Sequence, residues 1–222
     1  MPDENPLRRY FERNEGRLLD KWMHYFDVYH RHFQRFRGRP ATIVEIGVYH
    51  GGSMQMWKEY FGPEARIVGV DLDARCSAYA EPQVEIVIGD QSDRKFLREL
   101  ADKVGRIDVL IDDGGHRMNQ QITTFEELYG AVADDGVILV EDCHTSYWRD
   151  FDGGYHDPRS FIEMTKRLVD QLNAWHSRDS HSFGPTEFSI SADSVHFYDS
   201  IVVVEKRLRE PPQRRTTGKP SR

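Results

Sequence analysis

Two short runs of the 222-residue sequence concentrate side chains able to handle a cation and a proton: IDDGGH (Ile111 to His116) and VEDCH (Val140 to His144). Each follows a Val- and Ile-rich stretch of strand length, so Asp112, Asp113, Glu141 and Asp142 stand at two strand ends. Several carboxylates at one edge repel one another unless something positive sits among them. Hard carboxylate oxygens suit Mg2+, with water or substrate hydroxyls completing an octahedron; Ca2+ or Mn2+ would also fit. The competing reading is a row of solvated strand ends, which is ordinary for a single Asp. His116 follows Asp113 by three residues, beyond Gly114 and Gly115, which let the chain turn sharply. Its imidazole is a candidate general base near neutral pH. His144 has a similar place and divides between a substrate contact and a surface residue.

A second set of groups points to a nucleoside. EIGVYHGGS (Glu45 to Ser53) follows the first strand-like run and opens a helix-like one, and its glycines, Gly47 and Gly51 among them, let backbone pass close to a ligand. The spacing is not the GxGxxG of dinucleotide sites, which disfavours an NAD-dependent dehydrogenase. About 20 residues on, Asp71 ends VGVDLD, where a carboxylate can accept ribose hydroxyls. Asp90 and Gln91 end the next run, where an adenine would lie. A glycine loop after strand one and acids after strands two and three line one carboxyl edge, where open α/β sheets bind ligands. No P-loop lysine signature occurs, so ATP and GTP are poor candidates.

The elements that must hold these groups are legible as alternation. Five apolar runs read as parallel strands covered on both faces: TIVEIGV (Thr42 to Val48), RIVGVDL (Arg66 to Leu72), VEIVIGD (Val84 to Asp90), IDVLIDD (Ile107 to Asp113) and GVILVED (Gly136 to Asp142). Helical stretches lie between them at Ser53 to Tyr60, Asp93 to Val104 and Met118 to Val132, with a short turn near Ala74 to Ala80. A further helix is predicted over Pro158 to Trp175. FSISADSVHFYDSIVVVEKR then reads as strand, turn at Asp199-Ser200, strand, an antiparallel hairpin closing the sheet. Ahead of the sheet, Leu18, Trp22, Tyr25, Phe26, Tyr29, Phe33 and Phe36 recur at helical spacing and predict one aromatic-faced helix. The expected architecture is a Rossmann-like doubly wound α/β domain over residues 41–208. A helical cap at 1–40 precedes it, and a basic, Pro-rich tail at 209–222, expected to be disordered, follows.

Bulk properties narrow the setting. With 38% hydrophobic and 30% charged residues the chain reads as one soluble globular domain. No apolar run is long enough to span a bilayer and the N-terminus lacks a signal-peptide core, so a cytoplasmic protein without membrane contact is expected. A net charge of -7 disfavours nucleic acid as a partner. The two cysteines, Cys76 and Cys143, lie in no CxxC or zinc-spaced cluster and are expected to be reduced thiols.

EIGVYHGGS, VGVDLD, IDDGGH and VEDCH, in that order over about Lys21 to Lys206, resemble a known family. It is the class I S-adenosylmethionine-dependent methyltransferases that include the macrolide-sugar O-methyltransferases of the macrocin and mycinamicin type, together with cephalosporin-hydroxylase-like proteins. The resemblance implies that Asp113, Glu141 and Asp142 hold Mg2+ and that His116 acts as base. It also implies that Glu45 and Gly47 meet the methionine end of S-adenosyl-L-methionine, with Gly51, Ser53 and Asp112 nearby, while Asp71 takes the ribose and Asp90 and Gln91 the adenine. The helix before the sheet would cap the site with Lys21, Trp22 and Tyr25. The chain lacks the large N-terminal extension of the mycinamicin-type enzyme, so a homo-oligomer is left open.

The chemistry expected is methylation of a sugar hydroxyl on a natural product or glycan, the acceptor being a glycosylated small molecule. Two neighbouring hydroxyls would chelate the ion, His116 would take a proton, and the oxygen would attack the sulfonium methyl in line. A phenol or catechol acceptor, and a non-catalytic nucleoside-binding subunit, are the alternatives. The loop HTSYWRDFDGGYHDP (His144 to Pro158) reads either as a substrate lid, offering Tyr147, Trp148 and Tyr155, or as an ordinary surface loop.

Overall fold

The five apolar runs form parallel strands in the computed structural model, which describes residues 5–179 and 181–220. They are β1 (Thr42–Ile46), β2 (Arg66–Asp71), β3 (Val84–Ile88), β4 (Ile107–Asp112) and β5 (Val132–Val140). The C-terminal hairpin adds β6 (Ala192–Phe197) and β7 (Val202–Lys206), giving one sheet in the order β3-β2-β1-β4-β5-β7-β6. β7 runs antiparallel to both β5 and β6. The order reverses at β1, whose neighbours are β2 and β4, and ligands bind outside the carboxyl ends at such a switch point.

Strand alternation divides the core into two faces. Ile43, Ile67, Val109, Ile111, Val137, Leu139 and Val203 point to one, and Val44, Val68, Val70, Leu110, Ile138, Val140 and Val204 to the other. The first face is covered by α1 (Pro6–Glu12), α2 (Tyr25–Phe33) and α3 (Gly52–Phe61). The second is covered by α4 (Arg94–Val104), α5 (Met118–Leu128), α6 (Phe161–Asn173) and the short α7 (Glu187–Ser191). Asp93 caps α4 and Ser160 caps α6, each side chain accepting backbone N–H groups of the first turn.

Two expectations need correction. The helix predicted over Leu18 to Phe36 is helical only from Tyr25, with a 3-10 turn at Gln34–Phe36; Leu18 and Trp22 are exposed. Residues 13–24 form no helix or strand, and within them Lys21 pairs with Asp113 and Glu141. The first half of FSISADS is α7 rather than strand, held by a reciprocal pair between Thr186 and Ser189. The sequence reading also passed over α1, although Asn5-Pro6 is a helix start: Asn5 accepts from the Leu7 N–H and donates to Phe26 O at 2.8 Å, tying α1 to α2.

Cys76 and Cys143 are buried free thiols. No helix among the described residues is long and apolar enough to cross a membrane. Residues 207–220 form no helix or strand, and most are exposed; of the tail expected at 209–222, residues 221 and 222 lie outside the described residues, as do 1–4 of the expected cap.

Candidate active site

The parallel ladder continues one step past the strands. The Gly47 N–H donates to Val70 O at 2.7 Å, that of Asp113 to Ile46 O at 2.9 Å, and that of Glu141 to Asp112 O at 2.9 Å. Three loops are thereby brought to one edge. Gly47 has φ +98°, and a Cβ there would lie 2.0 Å from Asp113 O, so only glycine lets the β1 and β4 loops touch.

A cavity of about 460 Å3 opens over β1, β2 and β3, lined by Gly47, Asp71, Asp90, Gln91, Asp113 and Gly114 among others. Asp71 Oδ2 accepts the Val48 and Tyr49 N–H groups at 2.9 and 3.0 Å, and Oδ1 accepts that of Asp73. This carboxylate therefore shapes the glycine loop and keeps one lone pair, on Oδ1, for a ligand. Asp90 Oδ1 accepts from the Ser92 N–H and hydroxyl. The Gln91 amide is committed to structure: Nε2 donates to Asp112 Oδ1 and Thr124 Oγ1, and Oε1 accepts the Gly115 N–H at 2.7 Å. Glu45, Gly51, Ser53 and Asp112 do not line the cavity. Glu45 lies fully buried beneath it, accepting from Ser53 Oγ at 2.7 Å, and burial pushes its carboxyl up to about 7. Asp112 is likewise buried, which raises its pKa, and it positions Gln91. The sequence reading missed Tyr49 and Leu72, exposed apolar side chains on the cavity wall, although an apolar residue directly after Asp71 was a visible signal.

Beside this cavity lies the acidic cluster. Asp113, Glu141 and Asp142 line a second space of about 280 Å3 together with Asp20, Lys21, Trp22 and Tyr25. His116 Nε2 stands 3.3 Å from Asp142 Oδ2 and 3.9 Å from Asp113 Oδ1. His116 and Asp142 both hold left-handed backbone, with φ of 55° and 51°. Such conformations cost energy in non-glycine residues and collect where a site demands them. Thr145 Oγ1 bridges the two, within 2.9 Å of both His116 O and Asp142 O.

α2 and the segment before it supply the other side. Tyr25 is buried and its hydroxyl donates to Asp142 Oδ1 at 2.6 Å; burial and that bond push the phenol pKa up, so it stays a donor. Lys21 Nζ donates to Asp113 Oδ2 and to Glu141 Oε2, the latter at 2.8 Å, and lies 3.9 Å from Glu45 Oε1. Even so, burial and the Asp113 charge keep the Glu141 carboxyl well above its ordinary range.

The donor set fits a hard divalent cation. Three carboxylates converge, and both Glu45 Oε1 and Glu141 Oε1 are buried without a hydrogen-bond partner, a condition that added positive charge relieves. A trio of Asp113, His116 and Asp142 and another of Glu45, Asp113 and Glu141 each bring ligand atoms within 4.8 Å of one another, with Asp113 common to both.

The residues expected to meet an acceptor scatter. His144 turns to the hairpin, its Nδ1 against Ser200 Oγ, and stays 3.9 Å from Asp142 Oδ1. Its ring centroid is 4.6 Å from Trp148 and 6.3 Å from Trp22, so the three rings cluster, with Trp22 on the wall of the acidic space. Tyr147 and Tyr155 line a separate open cavity with Arg149 and Arg159. The loop that bears them folds back on itself, with the Gly153 and Gly154 N–H groups donating to Trp148 O and Ser146 O.

A family model described as a methyltransferase domain matches residues 44–143. The 8-demethyl-8-alpha-L-rhamnosyl tetracenomycin-C 2'-O-methyltransferase of Streptomyces olivaceus is 42% identical over 200 residues, 85% of this chain and 52% of that protein. The mycinamicin VI 2''-O-methyltransferase of Micromonospora griseorubida is 32% identical over 218 residues, 92% of this chain and 53% of that protein. The solved structure of the MycE methyltransferase from the mycinamycin biosynthetic pathway, in complex with Mg and SAH, superposes with a TM-score of 0.81. It is 30% identical and covers 93% of this chain and 55% of its own. The chain thus spans about half the length of the curated relatives it matches.

Proposed function

We propose that this chain, whose residues 44–143 match a methyltransferase-domain model and which is similar to macrolide- and tetracenomycin-sugar O-methyltransferases, methylates a sugar hydroxyl on a glycosylated natural product. The observation that carries this reading is the meeting at Asp113 of two ligand groups, one with His116 and Asp142 and one with Glu45 and Glu141, beside a cavity built from a glycine loop and Asp71.

S-adenosyl-L-methionine supplies an electrophilic sulfonium methyl, and Mg2+ or another hard divalent ion makes a nearby hydroxyl more acidic. Asp113, Glu141 and Asp142 would hold the ion. The chain's own residues do the rest. Gly47 keeps the loop backbone open to the methionine end, Asp71 offers its free lone pair to a ribose hydroxyl, and Asp90 closes the adenine end with Leu72 as an apolar wall. His116 Nε2, 3.3 Å from Asp142 Oδ2 and 3.9 Å from Asp113 Oδ1, is placed to accept the acceptor's proton. Tyr25 and Thr145 fix Asp142 and His116, so the acceptor oxygen meets a preformed geometry. Trp22, Trp148 and His144 offer ring faces to the sugar.

The test separates binding from turnover. Asp142→Ala and His116→Ala, neither of them on the wall of the nucleoside cavity, should bind S-adenosylhomocysteine in calorimetry as the parent does, yet transfer labelled methyl to mycinamicin VI or a rhamnosyl tetracenomycin at under about a hundredth of its rate. Undiminished transfer by either variant would remove that residue from the account. Turnover of a catechol but of no sugar-bearing acceptor would favour the phenolic alternative.

A further inference from the structure

From Leu18 to Trp22 the chain presents side chains alternately: Leu18, Asp20 and Trp22 face solvent, while Leu19 rests on the core and the Lys21 side chain is only 3% exposed. A buried ammonium needs partners, and Lys21 has Asp113 Oδ2 and Glu141 Oε2, with Glu45 Oε1 at 3.9 Å. The function proposed above assigns Asp113 and Glu141 to a divalent ion, and this inference rests on that reading. An ammonium and a divalent ion in contact with the same two oxygens would stand within a few ångströms of each other, where like charges repel strongly at low dielectric.

We propose that Lys21 and the divalent ion are alternative occupants of the Asp113–Glu141 pair, so that ion binding expels the ammonium and loosens residues 13–24. The other polar ties of this segment sit at its ends or on its outer side: Arg13 pairs with exposed Glu59, and His24 Nε2 meets Asp199 O at 3.1 Å. The Arg17 N–H donates to Gln55 Oε1 at 3.4 Å, its guanidinium to Tyr79 O at 3.3 Å, and its pair with Glu81 spans 3.3 Å. Lys21 is thus its innermost polar anchor. Two consequences follow from what the segment borders. Trp22 walls the acidic space, so release of Lys21 widens the way in for an acceptor. Arg17 reaches Tyr79 on the wall of the nucleoside cavity, so the same release is felt where the cofactor would lie. Without an ion, Lys21 balances part of the cluster's charge and stands on the wall of the acidic space.

The experiment uses the full chain with Mn2+ as probe, read by electron paramagnetic resonance, together with hydrogen exchange over residues 13–24. Lys21→Met keeps the aliphatic stem and removes the charge; Lys21→Gln is a second variant should the first fold poorly. The charge-free variants should bind Mn2+ more than about tenfold more tightly than the parent. Exchange over 13–24 should rise when the parent is saturated with Mn2+, and should already be fast and unresponsive to the ion in the variants. Equal or weaker Mn2+ binding by both variants, or unchanged parental exchange at saturation, overturns the proposal. Mn2+ binding that Asp113→Ala abolishes but neither Lys21 variant strengthens would leave the metal reading standing and sink this one. Absence of binding by parent and variants alike would sink both.

Discussion

Two residues of the acidic cluster, His116 and Asp142, adopt left-handed backbone, and one hydroxyl, that of Thr145, lies 2.9 Å from both of their carbonyl oxygens. Thr145→Val keeps the shape and deletes the bridge. It should lower stability by about 1–2 kcal/mol in urea unfolding and reduce kcat more than the KM for S-adenosyl-L-methionine, because the reacting groups lose their alignment. Gly47 makes the sharper case. With φ +98° and a Cβ that would lie 2.0 Å from Asp113 O, Gly47→Ala should cost more than about 2 kcal/mol and weaken S-adenosylhomocysteine binding in calorimetry. At this scale the sequence shows which residue types meet, since IDDGGH and VEDCH each place their acids at a strand end. It does not show how they divide the work. Gln91 stands where a ligand contact was expected, yet its amide knits the β3 and β4 loops, a division set by partners 21 to 33 residues away.

At the scale of elements, the aromatic periodicity that predicted a helix over Leu18 to Phe36 holds only where the rings have a core to fill. Tyr25, Phe26, Tyr29 and Phe33 are buried, whereas Leu18 and Trp22 are not. A local pattern does not encode the pull of a lysine toward acids 92 and 120 positions later. α2 is fastened to the hairpin by Glu205, which pairs with His32 and Arg35. Burial raises the Glu205 carboxyl, but hydrogen bonds from His32 and Arg35 and the arginine's charge outweigh it and hold the pKa below its ordinary 4.5. A depressed carboxyl contributes stability that is present above the unfolded value and lost as pH falls through the folded one. Glu205→Gln should therefore lower Tm near neutral pH, with the difference from the parent shrinking below pH 4.5 in melts run across acid pH. At the other end of the cap, Asn5→Ala should cost about 1 kcal/mol by freeing the start of α1.

Over the whole molecule, alternation of apolar runs and helices made the doubly wound sheet legible, because a parallel strand buried on both faces has few other readings. The insertion of β7 between β5 and β6 was not legible, since strand order is a matter of contacts far apart in sequence. The reversal at β1 places the glycine loop, Asp71 and the acidic cluster on one edge, and this juxtaposition underlies the proposed methyl transfer. The measurement that tests it most directly is transfer of labelled methyl from S-adenosyl-L-methionine to mycinamicin VI by the full chain, once with Mg2+ and once with EDTA. The account predicts transfer to a sugar hydroxyl with Mg2+ and its loss in EDTA, restored by adding the ion back. Equal transfer in EDTA would contradict it.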